Sequence, residues 1–369
     1  MIHIIIGTKA QLIKMAPILR QLQLQDIEYN YILTGQHKDT VSDIANNFDL
    51  KQPDYILYSG QDITSIFKMG IWFAKCLIKT LFNKKHIFKN DKNGVVLVHG
   101  DTFSTLLGAV IAKLAGLKVA HIESGLRSFN LFHPFPEELT RILVFRLANY
   151  CFCPGDWAIQ NLQGYKAQKI DTQFNTLYDA LMQVIPRLET IDVDIPNYDY
   201  AVVSLHRFEN IYNQASLQRI VTIVSDIAKN KKLLFILHKP TEKKLHQFNL
   251  YQTLAQNPQI ECRQRYDYFR FIKLVYHADF IISDGGSNQE ECYFLGKPIL
   301  LLRQATERNE GIGQNCVLSG YKQAIISDFV QNYQKYQYPL QQLSPSPSDI
   351  IVEHIKADYT IGSVDLIQK

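Results

Sequence analysis

No run of apolar residues in this 369-residue chain is long enough to span a membrane. The nearest candidate, "SIFKMGIWFAKCLIKTLF" at 65 to 82, is broken by Lys68, Lys75 and Lys79. A helix lying at a membrane surface is one reading of that stretch; a buried or dimer-forming helix is the favoured one. Blocks of one charge are lacking too. The chain carries 39 Lys and Arg against 35 Asp and Glu, a net +4, which gives no footprint for nucleic acid but suits a small anion. The six cysteines lack C-x-x-C spacing, and Cys151 and Cys153, two apart on a strand, share one face as packing residues rather than zinc ligands. The chain opens on a strand with no signal-peptide pattern, so a reducing, cytoplasmic setting is expected. Neither G-x-G-x-x-G nor a P-loop occurs, and neither G-x-S-x-G nor H-E-x-x-H. These absences exclude the common NAD, ATP, serine-hydrolase and zinc-protease signatures.

What is present is a repeated alternation. Short apolar runs ("IHIII", "YNYIL", "VVLVH", "KVAHI", then "AVVSL", "LLFIL", "DFIIS", "PILLL") are separated mostly by helix-like stretches such as "STLLGAVIAKLAG". Nearly continuous apolar strands between helices indicate parallel sheets covered on both faces. The pattern occurs twice, which predicts an α/β chain of two doubly wound domains, 1–172 and 173–347. A C-terminal helix at 348–369 is expected to pack back on the first domain, with Ser348 or Asp349 as its cap.

Ligands of such sheets bind beyond the carboxyl ends of the strands. Those ends read Gly7-Thr8-Lys9, Gly35-Gln36-His37, Gly100-Asp101, His121-Ile122-Glu123, His206-Arg207, His238 and Asp284-Gly285-Gly286. "SDGGSNQEE" should open a helix whose N-terminus, with Gly285 and Gly286 allowing close approach, attracts a diphosphate. Glu290 or Glu291 then reaches a ribose. His206, Arg207, Arg303 and Arg308 can neutralise a phosphate leaving group. Asp101, Glu123 and Glu137 can converge as an acid/base set. Taken singly, each residue is equally readable as a cap or a surface charge.

In order along nearly the whole chain, these segments resemble the UDP-N-acetylglucosamine 2-epimerase family. "GTKAQLIKMAP" is similar to G-T-R-P-E-x-I-K-M-A-P, and "QHKD" to Q-H-R. "HGDTFST", "HIESGLRS" and "PFPEELTR" resemble G-D-T-x-T, H-x-E-A-G-L-R-T and P-x-P-E-E-x-N-R. "LHRFEN" matches H-R-R-E-N with one change, and "SDGGSNQEE" follows T-D-S-G-G-x-Q-E-E. The resemblance implies two Rossmann-like domains facing across a cleft, as in glycosyltransferase-B folds, and a homodimer that binds a UDP-sugar. It implies no metal, no NAD and no other cofactor. By resemblance, Asp101, Glu123, Glu137 and His206 are catalytic candidates. Lys9, Lys14, Arg141, Gly285, Gly286, Ser287, Glu291 and Arg308 bind substrate, and Gln36, His37, Arg207 and His238 mark a regulatory site. The implied reaction interconverts UDP-GlcNAc and UDP-ManNAc for surface polysaccharide. A hydrolysing epimerase, a UDP-sugar-dependent transferase and a non-catalytic sensor stand as rivals.

Four positions depart from the family pattern. Lys9-Ala10-Gln11 stands for Arg-Pro-Glu, Phe208 for the second Arg of H-R-R-E-N, Gly285 for Ser, and Phe174 for a glycine before Asn175. Lys9 keeps the charge but loses the guanidinium fork.

Overall fold

The structure, a computed structural model, describes residues 1–36, 41–60, 63, 66–131, 135–306 and 308–364. The chain divides into two compact units. One takes Met1–Gln183 together with the C-terminal segment from Ser344, the other Val184–Leu343.

The first unit is built on seven parallel strands: β1 (Ile2–Ile6), β2 (Tyr29–Leu33), β3 (Tyr55–Ile56), β4 (Val95–His99), β5 (Lys118–Ile122), β6 (Tyr150–Cys153) and β7 (Gln168–Asp171). Their order is β3-β2-β1-β4-β5-β6-β7. Every residue of β1 and β4 is buried, as expected for central strands with helices on both faces. Chain direction across the sheet reverses between β1 and β4. That makes the loops after these two strands the topological switch point where such sheets bind ligands.

The second unit holds β8 (Tyr200–Ser204), β9 (Lys232–Leu237), β10 (Ile260–Gln264), β11 (Ile281–Ser283), β12 (Ile299–Leu301) and β13 (Cys316–Leu318). Here the order is β10-β9-β8-β11-β12-β13, again all parallel, with the switch point between β8 and β11. Its core gathers Ile220, Val224 and Ile227 of the Gln214–Ala228 helix onto the aliphatic face of the sheet.

The first unit runs past the expected boundary at 172, because the Leu177–Val184 helix belongs to it. Asp179 on that helix accepts from the amide (2.8 Å) and the hydroxyl (2.6 Å) of Ser348, so the C-terminal Pro347–Val364 helix is fastened there. Ser348 is therefore not the cap expected of it. Ser346 fills that place: its Oγ accepts from Asp349 N, and its N–H donates to Asp349 Oδ2. In the Ile66–Ile87 helix, Trp72, Cys76 and Thr80 are buried, whereas Ile71, Ile78, Leu81 and Phe82 are exposed. No helix among the described residues is long and apolar enough to cross a membrane.

Candidate active site

The turn after β1 is shaped by packing. A Cβ on Gly7 would lie 1.8 Å from Ser104 Oγ and 2.5 Å from Thr34 Oγ1, so only glycine lets the first turn of the Phe103–Ala115 helix approach. Gln36, expected to be regulatory, belongs to the same cluster: its Oε1 accepts from Ser104 Oγ at 2.5 Å. His37 lies outside the described residues. Thr8 caps the Lys9–Leu24 helix in a capping box with Gln11. Gln11 also reaches further. Its Oε1 accepts from Gly7 N and Thr8 N, and its Nε2 donates to His99 O, Thr102 Oγ1 and Thr105 Oγ1. One buried amide thus ties the loop after β1 to the loop after β4.

Behind these loops sits a row of buried charge. Lys14, one turn into its helix, donates to both oxygens of Glu123 at 2.7 Å. Glu123 follows β5 in the left-handed region, at φ 57°, an uncommon conformation for a non-glycine residue and one that turns its carboxylate toward Lys14. His99 Nε2 is 3.2 Å from Glu123 Oε2. Burial lowers the His99 pKa to about 3 against the pull of Glu123, so the ring is neutral at neutral pH. Arg141 places Nε and Nη2 on Asp101 Oδ2 at 2.9 and 2.5 Å. His121 lies in the fields of Asp101, Glu123 and Arg141, and burial lowers its pKa to about 4. Its Nε2 meets Gly100 O at 2.7 Å and its Nδ1 meets Ser124 Oγ at 2.9 Å, which fixes it as a neutral strut.

Glu137 and Glu138 open the same helix but behave differently. Glu138 is fully buried and accepts from Arg127 Nε and Ser128 N. Burial pushes its pKa up, yet these donors outweigh burial and hold it below the usual carboxylate range. Half-buried Glu137 instead keeps Oε2 buried with no hydrogen-bond partner among the described residues. Lys9 is half-buried at the head of its helix.

In the second unit, buried Asp284 organises the switch point. It accepts from His206 N, Arg207 N and Asn210 Nδ2 at 3.0, 3.1 and 2.9 Å. The His206 ring lies 4.7 Å from that of His238, tilted by 33°. Burial, with Arg207 and Arg265 nearby, lowers the His206 pKa against Asp284. His238 Nε2 meets Ser204 Oγ at 3.1 Å, and Arg207 pairs with Glu209. A Cβ on Gly285 would fall 2.7 Å from His206 Cε1, so glycine here is what lets the ring lean over the turn. Gly285 gives the Gly286–Leu295 helix no side-chain cap. First-turn N–H groups have no acceptor within a helix, and this end therefore suits an anion. Gly286 is half-buried and Ser287 exposed at that end. Deeper in, Glu291 accepts from Asn288, while Glu290 is bound by Arg308.

The described residues chosen from the sequence lie at strand ends of the two sheets or in the loops and helices that follow them. Sequence reasoning gave no role to His99, took Gln11 only as a departure from the family pattern, and left Glu138 and Asp284 out of the final set. The only signal for His99 and Asp284 was their position at strand ends. Among the described residues no group of His, Cys, Asp and Glu has the makings of a metal site.

The comparisons with known proteins bear on fold and family. A sequence model described as UDP-N-acetylglucosamine 2-epimerase matches residues 20–347. The UDP-N-acetylglucosamine 2-epimerase of Methanocaldococcus jannaschii is 33% identical over 342 residues, covering 88% of this chain and 90% of that protein. That of Campylobacter jejuni is 32% identical, over 89% and 88%. A crystal structure of the M. jannaschii enzyme in complex with UDP-GlcNAc and UDP superposes with a TM-score of 0.77 at 29% identity, over 95% of this chain and 98% of that one. The Neisseria meningitidis enzyme bound to UDP-GlcNAc gives 0.79 at 26%, over 96% and 99%. With two parallel α/β units, the motifs in order and relatives matching almost end to end, the chain belongs to the UDP-N-acetylglucosamine 2-epimerase family.

Proposed function

We propose that this chain interconverts UDP-GlcNAc and UDP-ManNAc without hydrolysis, in the cytoplasm and as a homodimer, to supply surface polysaccharide precursors. The observation that carries the reading is Glu123. It is a buried carboxylate on a strained backbone just after β5, held by Lys14 from the helix that follows β1 and facing His99 at the end of β4.

Inverting carbon 2 requires removal of a weakly acidic C–H proton. Loss of UDP makes this feasible: a carboxylate takes the proton, the C–H electrons form a double bond between carbons 1 and 2, and the C1–O pair leaves with UDP. A proton then enters carbon 2 from the opposite face, and UDP oxygen returns to carbon 1. Asp101, Glu123 and Glu137 are the proton-transfer groups. Lys9, Lys14 and Arg141 bind and balance their charge. His206 and the helix end at Gly285, Gly286 and Ser287 take the diphosphate, with Arg308, and Glu291 takes the ribose. For regulation the candidates are Gln36 and His37 in the first unit and Arg207 and His238 in the second.

Turnover of UDP-GlcNAc in heavy water tests the reading. UDP-ManNAc carrying deuterium at carbon 2 is expected by mass spectrometry and proton NMR. Free N-acetylmannosamine with UDP would mark a hydrolase, and dependence on an acceptor with carbon 2 unlabelled would mark a transferase. Epimerised product without solvent deuterium would overturn the elimination route.

A further inference from the structure

His99 has no place in the reaction as set out above, and its surroundings are unusual. It is almost fully buried, and neither ring nitrogen has a hydrogen-bond partner among the described residues. A buried polar group in that state costs free energy and calls for an explanation. The neighbouring strand makes the contrast plain, since both nitrogens of His121 are satisfied.

The backbone aims the His99 ring. His99 pairs with Ile122 across β4 and β5, one residue before Glu123. Its carbonyl is held by Gln11 Nε2 at 2.7 Å and Thr105 Oγ1 at 2.6 Å, which leaves the peptide little freedom to turn. Opposite, the left-handed φ of Glu123 turns its carboxylate back to within 3.2 Å of His99 Nε2. Such contacts are often long or poorly aligned in unliganded enzymes and tighten when substrate binds.

We propose that His99 is a positioning residue for proton transfer: its Nε2–H donates to Glu123 Oε2, opposite Lys14, and keeps that carboxylate aimed. This rests on the reading of Glu123 as a proton-transfer group. The charged and titratable neighbours of His99 are Glu123 and His121, at the end of β5, and Lys14 on the Lys9–Leu24 helix. Because burial keeps the ring neutral, His99 acts as a hydrogen-bond donor and not as a proton acceptor. A donor to the charged form of an acid lowers its pKa, so removing the donor raises it.

The test compares His99→Phe with His99→Gln in the full-length protein, reading the pH profile of kcat for UDP-GlcNAc epimerisation. His99→Phe is expected to move the acidic limb up by about one pH unit and to lower kcat about tenfold, with KM little changed. His99→Gln, whose amide brings a donor to a similar place, is expected to keep the acidic limb at its native position. If both variants lose the same activity and neither limb moves, His99 serves packing alone and the proposal falls. Should His99→Phe fail to fold, as judged by circular dichroism, His99→Asn replaces it: its shorter amide falls short of Glu123, and a limb identical to that of His99→Gln would overturn the proposal. Glu123→Gln is run beside them, and native-rate epimerisation by that variant would sink the reading of Glu123 whatever His99 does.

Discussion

Gln11 shows how a departure from a family pattern becomes a structural commitment. An amide can accept from Gly7 N and Thr8 N while donating toward His99 O; an ionised carboxylate can do only the first. Gln11→Leu would orphan two buried N–H groups at about 1–3 kcal/mol each, and a local destabilisation of about 3 kcal/mol is expected. Faster hydrogen exchange in peptides covering residues 2–24 would register it; unchanged exchange would make the amide expendable. Gly285 is the second such case. Gly285→Ser restores the family residue, yet its Cβ falls 2.7 Å from His206 Cε1. The ring must swing away, and UDP affinity by calorimetry is expected to drop about tenfold while the fold persists. Equal affinity would mean that His206 does not work from its present place.

At the scale of elements, Asp179 joins the Leu177–Val184 and Pro347–Val364 helices through Ser348. Its hydrogen bonds favour the carboxylate, but burial is the larger influence and raises its pKa from 3.8 to about 6. The folded unit therefore binds this proton more tightly than the unfolded chain. Asp179 alone makes stability fall as pH rises from about 4 to about 6, by roughly 3 kcal/mol in total. Asp179→Asn should flatten that slope in urea titrations at pH 4 and pH 7, and a slope identical to the parent's would refute the assignment. The same helix end marks where sequence reading stops. Strands buried on both faces, such as Ile2–Ile6 and Val95–His99, announce themselves by unbroken apolar runs. Strands toward the edges do not: Tyr55–Ile56 is two residues long, and Gln168–Asp171 and Ile260–Gln264 are polar and partly exposed. Individual candidate residues were legible as strand-end acids and cations, because topology alone puts strand ends of one sheet together. Their partners were not. Lys14 and Glu123 are separated by 109 residues, and nothing local in either stretch signals the pair.

Across the whole molecule, several acids in and beside the candidate sites are matched to cations of the same chain, although Glu137 and Glu291 are not among them. Glu123 has Lys14, Asp101 has Arg141, Glu138 has Arg127 and Arg141, and Glu290 has Arg308. Breaking a buried pair to hand its carboxylate to a divalent ion would leave an uncompensated cation, at several kcal/mol. The end proposed for the leaving diphosphate is a helix N-terminus without a side-chain cap, with the His206 ring beside it as a hydrogen-bonding group. With the carboxylates held by cations and a helix N-terminus offered to the diphosphate, epimerisation is expected to continue after exhaustive chelation with EDTA. The measurement is the rate of UDP-ManNAc formation before and after chelation, then after addition of magnesium or manganese. Activity that vanished and returned only with one of these ions would show that the diphosphate depends on a metal, and would move the chemistry toward a metal-assisted transferase.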